Sequence, residues 1–205
     1  GFALAKLRAA ESVFKTKGGL MHCPGGQTFY AAVWTNDQVE YAGPFFPYLG
    51  EENAIEASRN AYELYLPFMG EDYYRIPTSI ISEGIDIWEG AGDRGDAAMY
   101  AYGAARFALE MGNKEYAEHI FPAIEWCLEY CRRQKTIDGV IASDSDELEG
   151  RFETGNANLS TSSLTYAAYI NAACLAEDLG KMDEALLYRE AAASLRTAIE
   201  SYFGA

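Results

Sequence analysis

The chain has 205 residues, 49% of them hydrophobic, enough for one substantial core and too few to assume several domains. Its formal net charge of −15, from 31 acidic and 16 basic residues with no Lys/Arg run, leaves no electrostatic footprint for nucleic acid or an anionic membrane surface. No apolar run approaches the ~20 residues that span a bilayer, so neither nucleic acid nor a membrane is expected as a partner.

In chain order, the opening GFALAKLRAAESVFK has an amphipathic pattern without the basic start, apolar centre and small-residue cleavage site of a signal peptide. Turn-like YLGEEN, EMGNKE and DLGKMD then each close one apolar helical stretch and open another. Their glycines, Gly50, Gly112 and Gly180, recur at intervals of 62 and 68 residues, a period of repeated supersecondary units. Each glycine is placed to end one helix in the left-handed conformation before a second follows. The first helix of each pair, as in GDAAMYAYGAARFALEMG and STSSLTYAAYINAACLAEDLG, is small, aromatic and nearly uncharged, and predicts burial on most sides. The second, as in KEYAEHIFPAIEWCLEYCRRQ, alternates an apolar stripe (Ile120, Ile124, Cys127, Leu128, Cys131) with charge and predicts an outer, covering helix. Pro122 is expected to kink or restart its helix. The pattern predicts a single all-α domain over 1–205, built of repeated helical hairpins with about seven main helices.

Cys23, Cys127, Cys131 and Cys174 are scattered, and the i,i+4 pair Cys127/Cys131 suits neither a disulfide framework nor a closed zinc site. Buried free thiols are expected. His22 and His119 stand in no catalytic or metal-binding motif. No cofactor and no metal are expected.

The connections are asymmetric. Links from first to second helices are a few residues, whereas the returns, roughly 17–36, 70–94 and 135–159, are long. Long ordered loops gathered at one end of a helical scaffold usually build a site. They deliver WTND, SEGIDIWEGAGDRGD and DGVIASDSDELEGRFETGNANLSTS to the N-terminal ends of the inner helices. Indole faces stack on the CH groups of a sugar ring, and carboxylates accept from its hydroxyls. Glycosidic cleavage further needs a carboxylic acid beside the leaving oxygen and a second carboxylate across the ring. Plainer roles compete at each position. Asp37 and Asp96 near helix starts are placed to cap. Trp34 and Trp88 could be core, and Arg94 could pair with Asp93 or Asp96. The acidic run 144–149 could be a solvated loop or a calcium site, although it lacks the EF-hand glycine and ligand spacing.

With these residues in order, the chain resembles the six-hairpin glycosidases, whose fold is an (alpha/alpha)6 toroid, most closely in the glucoamylase manner. FYAAVWTNDQVEYAG is similar to the family's W-T-R-D segment, with Trp34 and Asp37 matching and Asn36 in place of the arginine. The resemblance implies that Asp37 holds hydroxyls of the sugar. IWEGAGDRGDAAMYAYG resembles the segment entering the fourth helix, with Trp88 at the stacking tryptophan and Arg94 near the binding arginine. SDSDELEG is similar to the family's Y-D-L-W-E-E, which puts Asp144 on the aspartate and Glu147 on the general acid. Asp146 stands where tryptophan is expected, and Leu148 where a second acid is expected. Glu149 and Asp146 therefore remain rival acids, Glu149 also as a substrate-binding residue.

The resemblance implies an inverting glycoside hydrolase acting on a carbohydrate substrate. At about 65 residues per hairpin, six hairpins need roughly 390 residues, so the chain is expected to be the N-terminal portion of such a domain. Its base would then lie in later hairpins, and exposed flanking hairpins would favour a homo-oligomer. Two other functions fit a helical scaffold: a non-catalytic module binding carbohydrate or protein, and a sugar epimerase or lyase on the same toroid.

Overall fold

A computed structural model describes residues 1–23, 32–81, 87–88, 90–148, 151 and 154–204. It is mostly helical, at 65%. Among the described residues seven α-helices follow in order: α1 (Phe2–Glu11), α2 (Gly43–Phe45), α3 (Glu52–Tyr65), α4 (Asp96–Met111), α5 (Lys114–Arg133), α6 (Leu159–Asp178) and α7 (Met182–Phe203). A π-helix (Thr35–Ala42) leads into α2 and a 3-10 turn (Phe46–Leu49) leaves it, so residues 35–49 wind as one composite helix.

The predicted hairpins are present. Gly50, Gly112 and Gly180 have φ of 66°, 58° and 77°, a conformation that a Cβ would strain. Two residues after each glycine, α3, α5 and α7 begin. The side chains of Glu51 and Asn113 accept the amides of Ala54 and Tyr116 and cap the first two. Pro122 does not interrupt α5, which runs unbroken from Lys114 to Arg133. The proline lies on the exposed face, where the Glu118 carbonyl it deprives of a partner can turn to water.

The core centres on α4, which packs against the π-helix, α5 and α6. Small residues (Ala97, Ala98, Ala101, Ala104, Ala105) let those neighbours approach closely, and all are buried. Between α3 and α4 the aromatic rings interlock: Tyr62 meets Tyr100 edge-on at 5.7 Å, and Tyr65 meets Tyr100 at 5.8 Å. Such pairs contribute roughly 0.5–1.5 kcal/mol each beyond area burial.

The expectation of an all-α chain is corrected by two small sheets. Strands β1 (Val13–Thr16) and β2 (Gly19–His22) form an antiparallel hairpin packed on α3. Strands β3 (Ala32–Trp34), β4 (Ser79–Ile81) and β5 (Ile87–Trp88) form an antiparallel sheet in the order β3-β4-β5. These segments are rich in branched and aromatic residues, and two of the long connections gain backbone partners by pairing. In the third connection Lys135 and Ile141 form an isolated bridge.

Candidate active site

The three-stranded sheet brings two of the predicted residues together. Trp34 pairs with Ser79, and Ser79 with Trp88, so the three lie in one row across the strands. Residues in such a row point to one face. The small Ser79 leaves the indoles room to converge over it, and their centroids are 5.6 Å apart at 48°. Both are half-buried.

Immediately after Trp34 the chain enters the π-helix. The amide of Gly43 reaches back five residues to the Gln38 carbonyl. In that register the Val39 carbonyl should receive an amide from residue 44, which is proline and has none. The Tyr62 hydroxyl donates to it instead, at 2.9 Å. On the other side α4 comes so close that a Cβ on Gly103 would lie 1.9 Å from the Val39 carbonyl oxygen and 3.2 Å from the Glu40 Cα. Only glycine permits this approach. The widened turn puts Asp37 on the surface in its first turn, Glu40 inside at 6% exposure, and Tyr41 at the rim at 51%. π-turns of this kind often mark functional positions.

Arg94 is 1% exposed and joins the elements from beneath. Its Nη2 donates to Asp96 Oδ1 and to Thr35 Oγ1, each at 3.1 Å, and its Nη1 to the Glu147 carbonyl at 3.2 Å. The guanidinium also lies 6.0 Å from the Trp34 ring centre. Asp96, the first residue of α4, accepts from the Thr78 hydroxyl at 3.0 Å, from the Arg94 amide at 3.3 Å and from the Thr35 hydroxyl. The sequence-predicted pairing of Arg94 with Asp96 is therefore present, and these guanidinium donors are engaged with the protein itself.

Glu147 rides on a segment tied down from the same side. The Ser145 amide donates to the Asp93 carbonyl at 2.9 Å, and the Ser145 hydroxyl to the Ala91 carbonyl at 3.0 Å. The Glu147 side chain is half-buried, and its Oε2 accepts from the Tyr41 hydroxyl at 2.6 Å. The neighbouring acids have other partners. Asp146 accepts the Leu148 amide at 2.9 Å, and Asp144 accepts the Asp93 amide at 2.7 Å with Arg75 at 3.7 Å. Glu149 lies outside the described residues.

Sequence reasoning missed Glu40. Its charge alone did not distinguish it from Asp37, and its burial follows from the approach of α4 at Gly103. Burial pushes its carboxyl up to about 8, nearby Glu147 pushes the same way, and Arg94 and the Tyr41 hydroxyl pull it back. Asp93 is the second raised carboxyl of this end, pushed up to about 6 by burial against the pull of the Gly95 amide and the Tyr130 hydroxyl. Chemically, the cluster offers aromatic rings, a half-buried carboxyl group held by a phenol, and a buried carboxyl whose ionisation burial opposes.

One groove lies away from this cluster and another beside it. The first, about 530 Å³, runs between α5 and α7 and is lined by Pro122, Trp126, Leu128, Tyr169, Tyr188 and Leu195. The other, about 520 Å³ and polar, lies over Asp93, Tyr130 and Asp144. Among the described residues no group of three or more His, Cys, Asp or Glu is placed to hold a metal ion, and no helix is long and apolar enough to cross a membrane. Cys127 and Cys131 are buried free thiols, Cys174 is a half-buried one, and Cys23 is buried. No family model matches the chain, and no curated protein matches it.

Proposed function

We propose that the chain is a glycoside hydrolase-related domain of the six-hairpin kind, an arc of an (alpha/alpha)6 toroid that binds a carbohydrate at the N-terminal ends of its inner helices. The composite helix 35–49, α4 and α6 form the inner row in this reading, with α3, α5 and α7 outside it. A sugar ring stacks on Trp34 and Trp88, and Asp37 accepts from its hydroxyls. Arg94 orients the site from below by holding Glu147 and Thr35. Glu147 is the acid that protonates the glycosidic oxygen, and the base belongs to later hairpins of the toroid.

The observation that carries this reading is the convergence on Arg94. One guanidinium lies against Trp34, which adjoins Trp88, and bonds the backbone of Glu147. The paired indoles and the backbone of the Glu147 segment thus meet at one guanidinium, and a stacking surface with a carboxylic acid is what cleavage of a glycosidic bond asks of a protein.

Calorimetric titration with a panel of mono- and oligosaccharides, followed by product analysis after long incubation, tests this. Binding is expected for at least one oligosaccharide, with a loss of tenfold or more in Asp37→Ala. An isomerised or unsaturated product would assign the site to an epimerase or lyase instead. Binding indifferent to Asp37 would remove the site from this cluster.

A further inference from the structure

The groove between α5 and α7 has no part in the reading above. Both helices pack on α6 but hardly on each other, and the gap left between them is about 530 Å³, a size typical of small-molecule sites. Its floor is aromatic and aliphatic. Tyr169 and Tyr188, each 7% exposed, lie with ring centres 6.0 Å apart beside the buried Leu128 and Leu195. The Tyr169 hydroxyl is already engaged, donating to the Leu128 carbonyl at 3.4 Å.

One wall is flat and firmly held. The Trp126 indole stacks with the Tyr73 ring at 5.1 Å and 5°, and with the Tyr130 ring at 5.7 Å and 16°. Its N–H donates to the Gly70 carbonyl at 2.8 Å, and the Arg133 guanidinium covers Tyr73 at 3.7 Å. Among the described residues Tyr73 is the one non-glycine position with a positive φ, 50°. That conformation is costly for a bulky residue, persists where surrounding contacts impose it, and is often found beside a ligand. Here the guanidinium and the indole impose it, and Tyr73 and Trp126 both line the groove.

The charges along the groove cancel. Glu125, Glu129, Arg132 and Lys135 line it, two acids and two bases in a chain whose net charge is −15. Glu129 accepts from Arg132 Nε and Nη2 at 2.5 and 2.8 Å and from Arg133 Nε at 2.8 Å. An ionic ligand would give up its water without gaining an uncompensated partner, whereas an uncharged one matches a balanced rim. The flat wall and the phenol floor favour a planar ring. A second protein chain would need a longer apolar face, since stable interfaces bury about 1,200–2,000 Å², and the exposed positions of α5 and α7 include Glu118, Arg189, Glu190 and Arg196.

We propose that this groove is a binding site for a flat, uncharged, ring-bearing small molecule, which lies against Trp126 with Tyr169 and Tyr188 beneath it and Leu187 at its edge. The site is separate from the Trp34–Trp88 cluster and does not depend on the carbohydrate reading.

The test titrates the chain with N-phenylnaphthylamine, a flat neutral fluorophore, and with its anionic counterpart, anilinonaphthalene sulfonate. The neutral probe should bind and move the Trp126 indole N–H resonance while those of Trp34 and Trp88 stay in place. The anionic probe should bind more weakly by about tenfold, or about 1.4 kcal/mol. Two leucines of α7 supply the control: Leu187, 60% exposed, lines the groove, whereas Leu186, 59% exposed, does not. Leu187→Glu is expected to weaken the neutral probe by about tenfold, and Leu186→Glu to leave it unchanged, both at surface positions where the fold should tolerate the charge. Equal effects of the two substitutions, tighter binding of the anionic probe, or binding that leaves Trp126 unmoved would overturn the proposal. So would a dimer in analytical ultracentrifugation that excludes the probe and is abolished by Leu187→Glu, which would give the groove to a second copy of the chain.

Discussion

Asp96 and Glu40 are both buried carboxylates on the path of Arg94, at 1% and 6% exposure, yet their surroundings are opposite. Asp96 accepts from the Arg94 guanidinium and amide and from two threonine hydroxyls. Glu40 keeps a buried oxygen without a partner and a second acid beside it. The first arrangement suits a fixed charge and fastens the β3–β4 edge to the start of α4. The second suits an uncharged carboxyl, since burial and the neighbouring acid both oppose its ionisation. A protein that only needed to fill the Glu40 position would do so at lower cost with an apolar residue. The difference separates a carboxylate that is fixed in place by donors from one that is buried without them.

The comparison breaks most visibly at Asp96. Asp96→Ala leaves the Arg94 charge buried without its carboxylate, and the expected loss is ~3–5 kcal/mol in chemical denaturation. A loss no larger than that of Glu40→Gln would erase the distinction between the two sites. Glu40 itself should show its character through pH. Its folded value, near 8, lies above the usual 4.5. The folded state therefore binds the extra proton, and the stability linked to it is complete below pH 4.5 and lost as pH rises through about 8. Glu40→Gln lacks this slope, so its stability relative to the parent should improve between pH 5 and 9 by on the order of 2–4 kcal/mol. A constant difference across that range would mean that Glu40 is ionised in the fold.

Gly103→Ala probes what sets Glu40 inside. The added methyl would collide with the Val39 carbonyl, and overpacking of this kind costs ~1–3 kcal/mol. The Glu40 titration should move towards the ordinary range in the same variant, since α4 must retreat. The smallest effect is expected for Tyr41→Phe. Its hydrogen bond is at the rim, and the stability change should be at most about 1 kcal/mol, measured by the same denaturation.

How much of this was legible in the sequence differs by element. Gly50, Gly112 and Gly180 announce their hairpins, because a left-handed helix end favours glycine strongly and an apolar pattern stands on both sides. The strands β3, β4 and β5 were not legible. Each has three residues or fewer, too short for a period to emerge, and β3 pairs with a strand far along the chain. Their pairing is nevertheless what makes neighbours of Trp34 and Trp88, which the sequence could place only in the same group of loops. The π-helix was hidden for a related reason. Its register depends on Pro44 lacking an amide and on Tyr62 of a later helix supplying a proton. Glu40 followed it out of sight, since its burial is a consequence of Gly103 on α4. Arg94 and Asp96 were legible as a pair, but not as the link between the strands, α4 and Glu147.

The most direct test of the central claim, that sugar lies on the Trp34–Trp88 face, uses the three indole N–H resonances of the chain. Trp126 serves as the internal reference. It stacks between Tyr73 and Tyr130, at 5.1 and 5.7 Å, and its indole donates to the Gly70 carbonyl. On titration with an oligosaccharide that binds, the Trp34 and Trp88 resonances should shift together while Trp126 stays in place. A shift confined to Trp126, or binding that moves none of the three, would contradict the account and put the ligand elsewhere on the molecule.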